Sequence, residues 1–119
     1  MIERLRAALA EADARVVVRT PSAICELQGP LPLRAGDEWL TVGQEGQPHL
    51  HLRAADLRDL RFAAPDDGNV ALEVVDGSGA RVVRIAFART NPARPDCDSA
   101  RRATLVAQYD GGQGAAGGG

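Results

Sequence analysis

The sequence predicts an α+β fold: a large antiparallel β-sheet of meandering hairpins with helices at the N- and C-terminal ends of the chain. Apolar residues recur at helical spacing only near the two ends. Between them lie seven or so short segments of strand character, separated by Gly, Pro and Asp turns and without a helical crossover, which favours antiparallel pairing. The strongest hairpin signal is the pair of segments 70–75 and 81–87 around Asp76-Gly77-Ser78-Gly79, a turn rich in residues that tolerate positive φ.

The elements follow in chain order. Ile2, Leu5, Ala8, Leu9 and Ala12 mark an amphipathic helix over residues 2–13. Residues 15–19, with three consecutive valines, read as a β-branched strand stopped by Thr20-Pro21, and residues 22–28 as a second. Gly29-Pro30-Leu31-Pro32 cannot continue a ladder, because proline has no N–H to donate. Strands are then expected over 39–42 and 49–53, a short helical turn or loop over 54–57, and a strand over 60–63 before the turn residues 65–69. After the 70–87 hairpin, a Pro-rich loop leads to a helix opened by Asp98 or Ser99 and running to about Tyr109. Residues 1–110 thus form a single domain, and the Gly/Ala-rich residues 111–119 read as a flexible tail, too poor in apolar surface to offset their ordering entropy. An edge strand of so small a sheet is expected to be exposed and to pair with a second copy of the chain.

Composition narrows the function. The hydrophobic fraction of 45% is ordinary, but aromatics are only Trp39, Phe62, Phe87 and Tyr109, so the core must be aliphatic. A formal charge of −2 argues against a nucleic-acid binder, whose affinity rests on a basic surface. All 14 basic residues are Arg, which together with abundant Ala and Gly reflects a GC-rich genome. No secretory h-region and no apolar run of membrane-spanning length is present, so the chain reads as a cytoplasmic protein with no membrane partner. Cys25 and Cys97 have no metal-ligand spacing; they are expected as reduced thiols, with Cys25 in the core.

No catalytic constellation is marked: GxSxG, HExxH, Walker and Rossmann patterns are missing. An enzyme is the less favoured class. Chemistry concentrates instead in His49-Leu50-His51-Leu52-Arg53, which holds both histidines of the chain. Alternation at period two puts His49, His51 and Arg53 on one face of a strand and Leu50 and Leu52 on the other. His49 and His51 are candidate metal ligands, although a dedicated site would need further donors from elsewhere. The alternative is a histidine pair that hydrogen-bonds at a surface.

In order along the chain, Trp39-Leu40-Thr41-Val42, His49-Leu50-His51-Leu52-Arg53, the apolar segment 60–63, Pro65 and Asp67-Gly68 resemble the haem-utilisation proteins of the HemS and ChuX type. Ala71-Leu72-Glu73-Val74-Val75-Asp76-Gly77-Ser78-Gly79 is similar to the family's next segment, S-L-E-x-F-D-x-x-G, and the run from Phe87 to Asp96 to its F-G-x-R-K-P-G-x-P-E. Together the resemblance spans about residues 22–109. It implies a half-module of that fold, with haem as cofactor, a bacterial cytoplasmic role in haem storage, delivery or degradation, and a homodimer. His51 and Arg53 align with the family's H-L-R; His49 has no counterpart. The N-terminal helix lacks the axial histidine of the double-module members, and Asn91 and Ala93 replace the Lys and Gly of K-P-G. A haem site also needs cations for the propionates, for which Arg53, Arg58, Arg61 and Arg89 are candidates, and an iron donor, for which His49 and His51 are. The competing function is a non-catalytic dimeric interaction module on the same scaffold.

Overall fold

The computed structural model describes residues 1–110. They form helix α1 (Ile2–Leu9), strands β1 (Ala14–Thr20), β2 (Ala23–Gln28), β3 (Leu33–Ala35), β4 (Trp39–Val42), β5 (Leu50–Arg53), β6 (Asp59–Ala63), β7 (Ala71–Val75) and β8 (Arg81–Phe87), and helix α2 (Ser99–Leu105). The α+β class and the wholly antiparallel pairing stand. The single large sheet does not: five strands form one sheet in the order β2-β1-β8-β7-β6, and three form another in the order β3-β4-β5.

The break lies between β5 and β6. A single 3₁₀ turn, Ala54–Asp56, uses its own carbonyl of Ala54 to take the Leu57 N–H, while Arg58 N–H already bonds Val75 O in the large sheet. The chain therefore leaves one sheet and enters the other, and β5 and β6 have no shared ladder. The large sheet is also no simple meander, because β8 returns to pair with β1. Strand β3 has no counterpart in the sequence pattern; at three residues between prolines and Gly36 it is too short to show periodicity.

Register explains the core. Leu27, Val16, Ile85, Leu72 and Phe62 stand side by side across all five strands of the large sheet. Val16, Ile85 and Leu72 are fully buried, and each such aliphatic side chain contributes about 1.5–3 kcal/mol relative to exposure. Leu33, Leu40, Val42 and Leu52 from the small sheet, Leu5 and Leu9 from α1, and Leu105 and Tyr109 from the C-terminal end join the same cluster. Phe87 and Tyr109 stack with ring centroids 5.8 Å apart. The aliphatic core read from composition is thus closed by one aromatic pair.

Helix α1 ends at Leu9, short of residue 13, because tertiary partners claim its C-terminal groups. Leu31 N–H donates to Leu9 O at 2.7 Å, while Gly29 N–H, beyond β2, bonds Ala14 O at the start of β1 at 2.8 Å. Asp13 turns outward to Arg101, which bonds both carboxylate oxygens (2.8 and 2.9 Å) and reaches Glu11 at 2.9 Å. This holds the Asp13 carboxyl below the ordinary carboxylate range. Asp98 caps α2 by accepting from Arg101 N, and beyond Leu105 the helix widens into one π turn, Val106–Asp110. Arg102 donates to the carbonyls of Ala64, Pro65, Gly68 and Thr90, satisfying loop groups that no ladder reaches.

Cys25 corrects an expectation. It is exposed rather than buried, and both cysteines are free. Its strand is the edge of the large sheet, and burial fades along the β1–β2 hairpin: Val16 is buried, Val18 half-buried and Thr20 exposed. The end of the hairpin that carries Cys25 extends past the covering elements. No helix among the described residues is long and apolar enough to cross a membrane. The flexible-tail reading of 111–119 lies outside the described residues.

Candidate functional site

The outer face of the small sheet gathers the chemistry. Register sets Arg34, Thr41 and His51 in one row and Trp39 opposite Arg53 in the next. Leu33, Leu40, Val42 and Leu52 occupy the alternate positions and point to the core, so packing of the inner face fixes the aim of the outer one. His51 and Arg53 stand on β5, as the alternation requires. His49 lies one residue before the strand, since pairing begins at Leu50 opposite Val42.

His49 is nonetheless delivered to the same face. Gly43, after β4, adopts φ +107°, and a Cβ at that position would come within 2.8 Å of His49 Cβ. Only glycine combines that backbone conformation with the close approach. The two imidazoles meet edge to face at 5.0 Å between centroids. His49 Nδ1 lies 2.7 Å from Gln47 O. A carbonyl only accepts, so Nδ1 carries the proton and the Nε2 lone pair stays available. His51 Nδ1 lies 3.1 Å from Thr41 Oγ1, a hydroxyl that can accept from it and leave the second Nε2 equally available. Hydrogen bonds of this type orient imidazoles that ligate metals.

Arg53 is less free than its place in the strand suggests. Its guanidinium bonds Glu38 at 2.8 Å, approaches Asp56 at 3.7 Å and lies 4.6 Å from the centroid of the Trp39 ring. Two carboxylates already neutralise it, and it serves to hold Trp39. Arg34, across the row from His51, makes no ion pair among the described residues. A shallow cavity of about 570 Å³ opens on this face, lined by Arg34, Gly36, Asp37, Glu38, Trp39, Thr41 and His51. Trp39 is 41% exposed, a large indole left in water that shares this cavity with His51.

Arg89 is not brought to this face. It adopts φ 62° just after β8 and lines a separate cavity with Asp13, Arg15 and Arg101. Arg58 and Arg61 stand over the β7–β8 hairpin, within 4 Å of where Cβ atoms on Gly77 and Gly79 would be. Among the described residues no third His, Cys, Asp or Glu joins the two histidines in a group of metal-ligand size. Sequence reading missed Arg34 and Trp39 as members of the face. Arg34 sits on the unpredicted β3, whereas Trp39 carried a usable signal, being in phase with Thr41 on a predicted strand.

No protein-family model matches the chain, and a search of curated proteins returns no match.

Proposed function

We propose that the protein is a non-catalytic binding module that takes haem or a related tetrapyrrole on the outer face of its small sheet. The observation that carries this reading is the imidazole pair, 5.0 Å apart with each Nδ1 held in a hydrogen bond, of which His51 shares a cavity with an exposed indole. His51, which lines the cavity, would be the iron donor and His49 its neighbour. Trp39 would stack on the macrocycle, and Arg34 rather than Arg53 would meet a propionate, since Arg53 is already paired. Bound haem would supply an iron centre that accepts a neutral imidazole. The resemblance to the HemS and ChuX type supports the same ligand, and with it a role in bacterial haem storage or trafficking.

Haemin titration followed at the Soret band tests this. Saturable binding is expected, lost or spectrally altered in His51→Ala and weakened in Trp39→Ala and Arg34→Gln. No saturable shift sinks the reading, and a shift indifferent to all three substitutions removes this face from it.

A second reading, a homodimeric interaction module, is favoured by β2. This six-residue strand is outermost in the large sheet among the described residues, contains no Lys, Arg or Pro, and exposes Ile24 at 54%. Light scattering on the wild type and Ile24→Lys decides it: a dimer dissolved by the lysine supports edge pairing, and a wild-type monomer overturns it.

A further inference from the structure

The outer face of the large sheet carries a feature that haem binding does not use. Across the strands this face reads Glu26, Val17, Arg84, Glu73 and Arg61. Cross-strand alternation of sign is the ordinary way to stabilise a solvated face. At one end of the sheet the alternation fails. Arg19, Arg81 and Arg84 converge with Val17 and Val82 around a cavity of about 410 Å³.

The convergence is produced by the backbone. In an unbroken strand Arg81 and Arg84 would point to opposite faces, being three residues apart. The ladder between β7 and β8 slips at Val74/Val75, where Val74 pairs with Val83 but Val75 with Arg81. This bulge turns Arg81 onto the side of Arg84, and both guanidiniums reach the same Glu73 carboxylate, at 3.3 and 4.0 Å. Bulges recur where a side chain must be re-aimed. Arg19 arrives from β1 and makes no ion pair among the described residues. Three guanidiniums therefore face one carboxylate, in a chain whose net charge is −2. Glu26, the other acid of the row, lines a different cleft with Pro30 and Pro48. Burial also lowers the pKa of Arg84, and Glu73 only partly offsets that cost. A bound anion would offset it further.

We propose that Arg19, Arg81 and Arg84 form a binding site for a small polyvalent oxyanion of the phosphate-ester or pyrophosphate type. Two uncompensated positive charges match a dianion. Guanidinium forks bind such oxygens bidentately, and the Val17 and Val82 side chains supply an apolar floor for the carbon part of an ester. The site is on the other sheet from the histidine face and stands or falls independently of haem.

Calorimetric titration of the full chain with pyrophosphate at about 0.15 M salt, where diffuse surface attraction is screened, tests it. Saturable one-to-one binding is expected, weakened about tenfold or more by Arg19→Gln and by Arg81→Gln and unchanged by Arg94→Gln on the distant Pro-rich loop. Glu73→Gln, which removes the competing carboxylate, should tighten it. Titration with glucose 6-phosphate separates the sources: equal or stronger binding identifies an ester site, weaker binding a free-oxyanion site. Absence of saturable heat overturns the proposal, as does equal weakening by Arg94→Gln or weaker binding in Glu73→Gln.

Discussion

The two sheets use the same period-two alternation to opposite ends. In the large sheet β7 is buried on both sides, with Ala71, Leu72, Val74 and Val75 all within the core, and the outer face carries charged residues, of which Glu73 pairs with Arg81 and Arg84. In the small sheet only the inner residues are buried, and the outer face holds an indole, two imidazoles and a hydroxyl, all outside the hydrophobic core. Each kind of function has its own place in the fold. A five-stranded sheet with a complete core tolerates an unbalanced charge cluster. A three-stranded sheet anchored by one face leaves its other face chemically free.

Trimming the cores should separate the two sheets most sharply. Leu72→Ala in β7 is expected to cost about 3–5 kcal/mol, whereas Leu50→Ala on the half-buried start of β5 should cost under about 2 kcal/mol; urea unfolding measures both. Equal costs would show that the small sheet is as integral as the large one. Thr90 probes how tightly the large sheet's end is closed. This fully buried hydroxyl accepts from Val70 N at 2.9 Å and donates to Phe87 O at 2.7 Å. Thr90→Val leaves a buried N–H and a buried carbonyl unpaired, for a loss of about 1–3 kcal/mol by the same measurement.

The Asp13–Arg101 pair, which ties α2 to the turn before β1, should give a smaller and pH-dependent effect. The Asp13 pKa is lowered in the fold, first by its hydrogen bonds to Arg101. Its stabilisation is therefore complete above the unfolded carboxylate value of about 3.9 and is lost as pH falls through the lower folded value. Asp13→Asn should cost about 1 kcal/mol at neutral pH after solvent screening. The gap from wild type should close in acid, as thermal unfolding across the pH series would reveal; a gap independent of pH would refute the pairing. The smallest effect belongs to the free face. Trp39→Ala forfeits mainly its contact with Arg53, about 0.5–1 kcal/mol, so its melting curve should barely move while haemin binding suffers. A large loss of stability would make Trp39 part of the scaffold and not of the site.

Much of the layout was legible beforehand because it is written locally. Val16 and Ile85 announce their strands by β-branching, Asp76-Gly77-Ser78-Gly79 announces its hairpin by turn chemistry, and Asp98 announces α2 as its cap. The histidine face was legible for the same reason, since His51 and Arg53 are in phase on one strand. What stayed hidden depends on residues distant in sequence. The truncation of α1 depends on Leu31 and Arg101, and the exposure of Cys25 on how far the covering layer extends.

The sequence by itself determined the α+β class, seven of the eight strands, both helices and the shared face of His51 and Arg53, because propensity and alternation act over a few residues. Only three-dimensional pairing settles that the sheet splits in two, that β8 closes onto β1, that Arg34 and Trp39 gather beside His51, and that a bulge turns Arg81 toward Arg84. Those outcomes are set by which strands share a ladder and in what register. A ladder is a competition among distant segments for the same backbone hydrogen bonds, and no local pattern records its result.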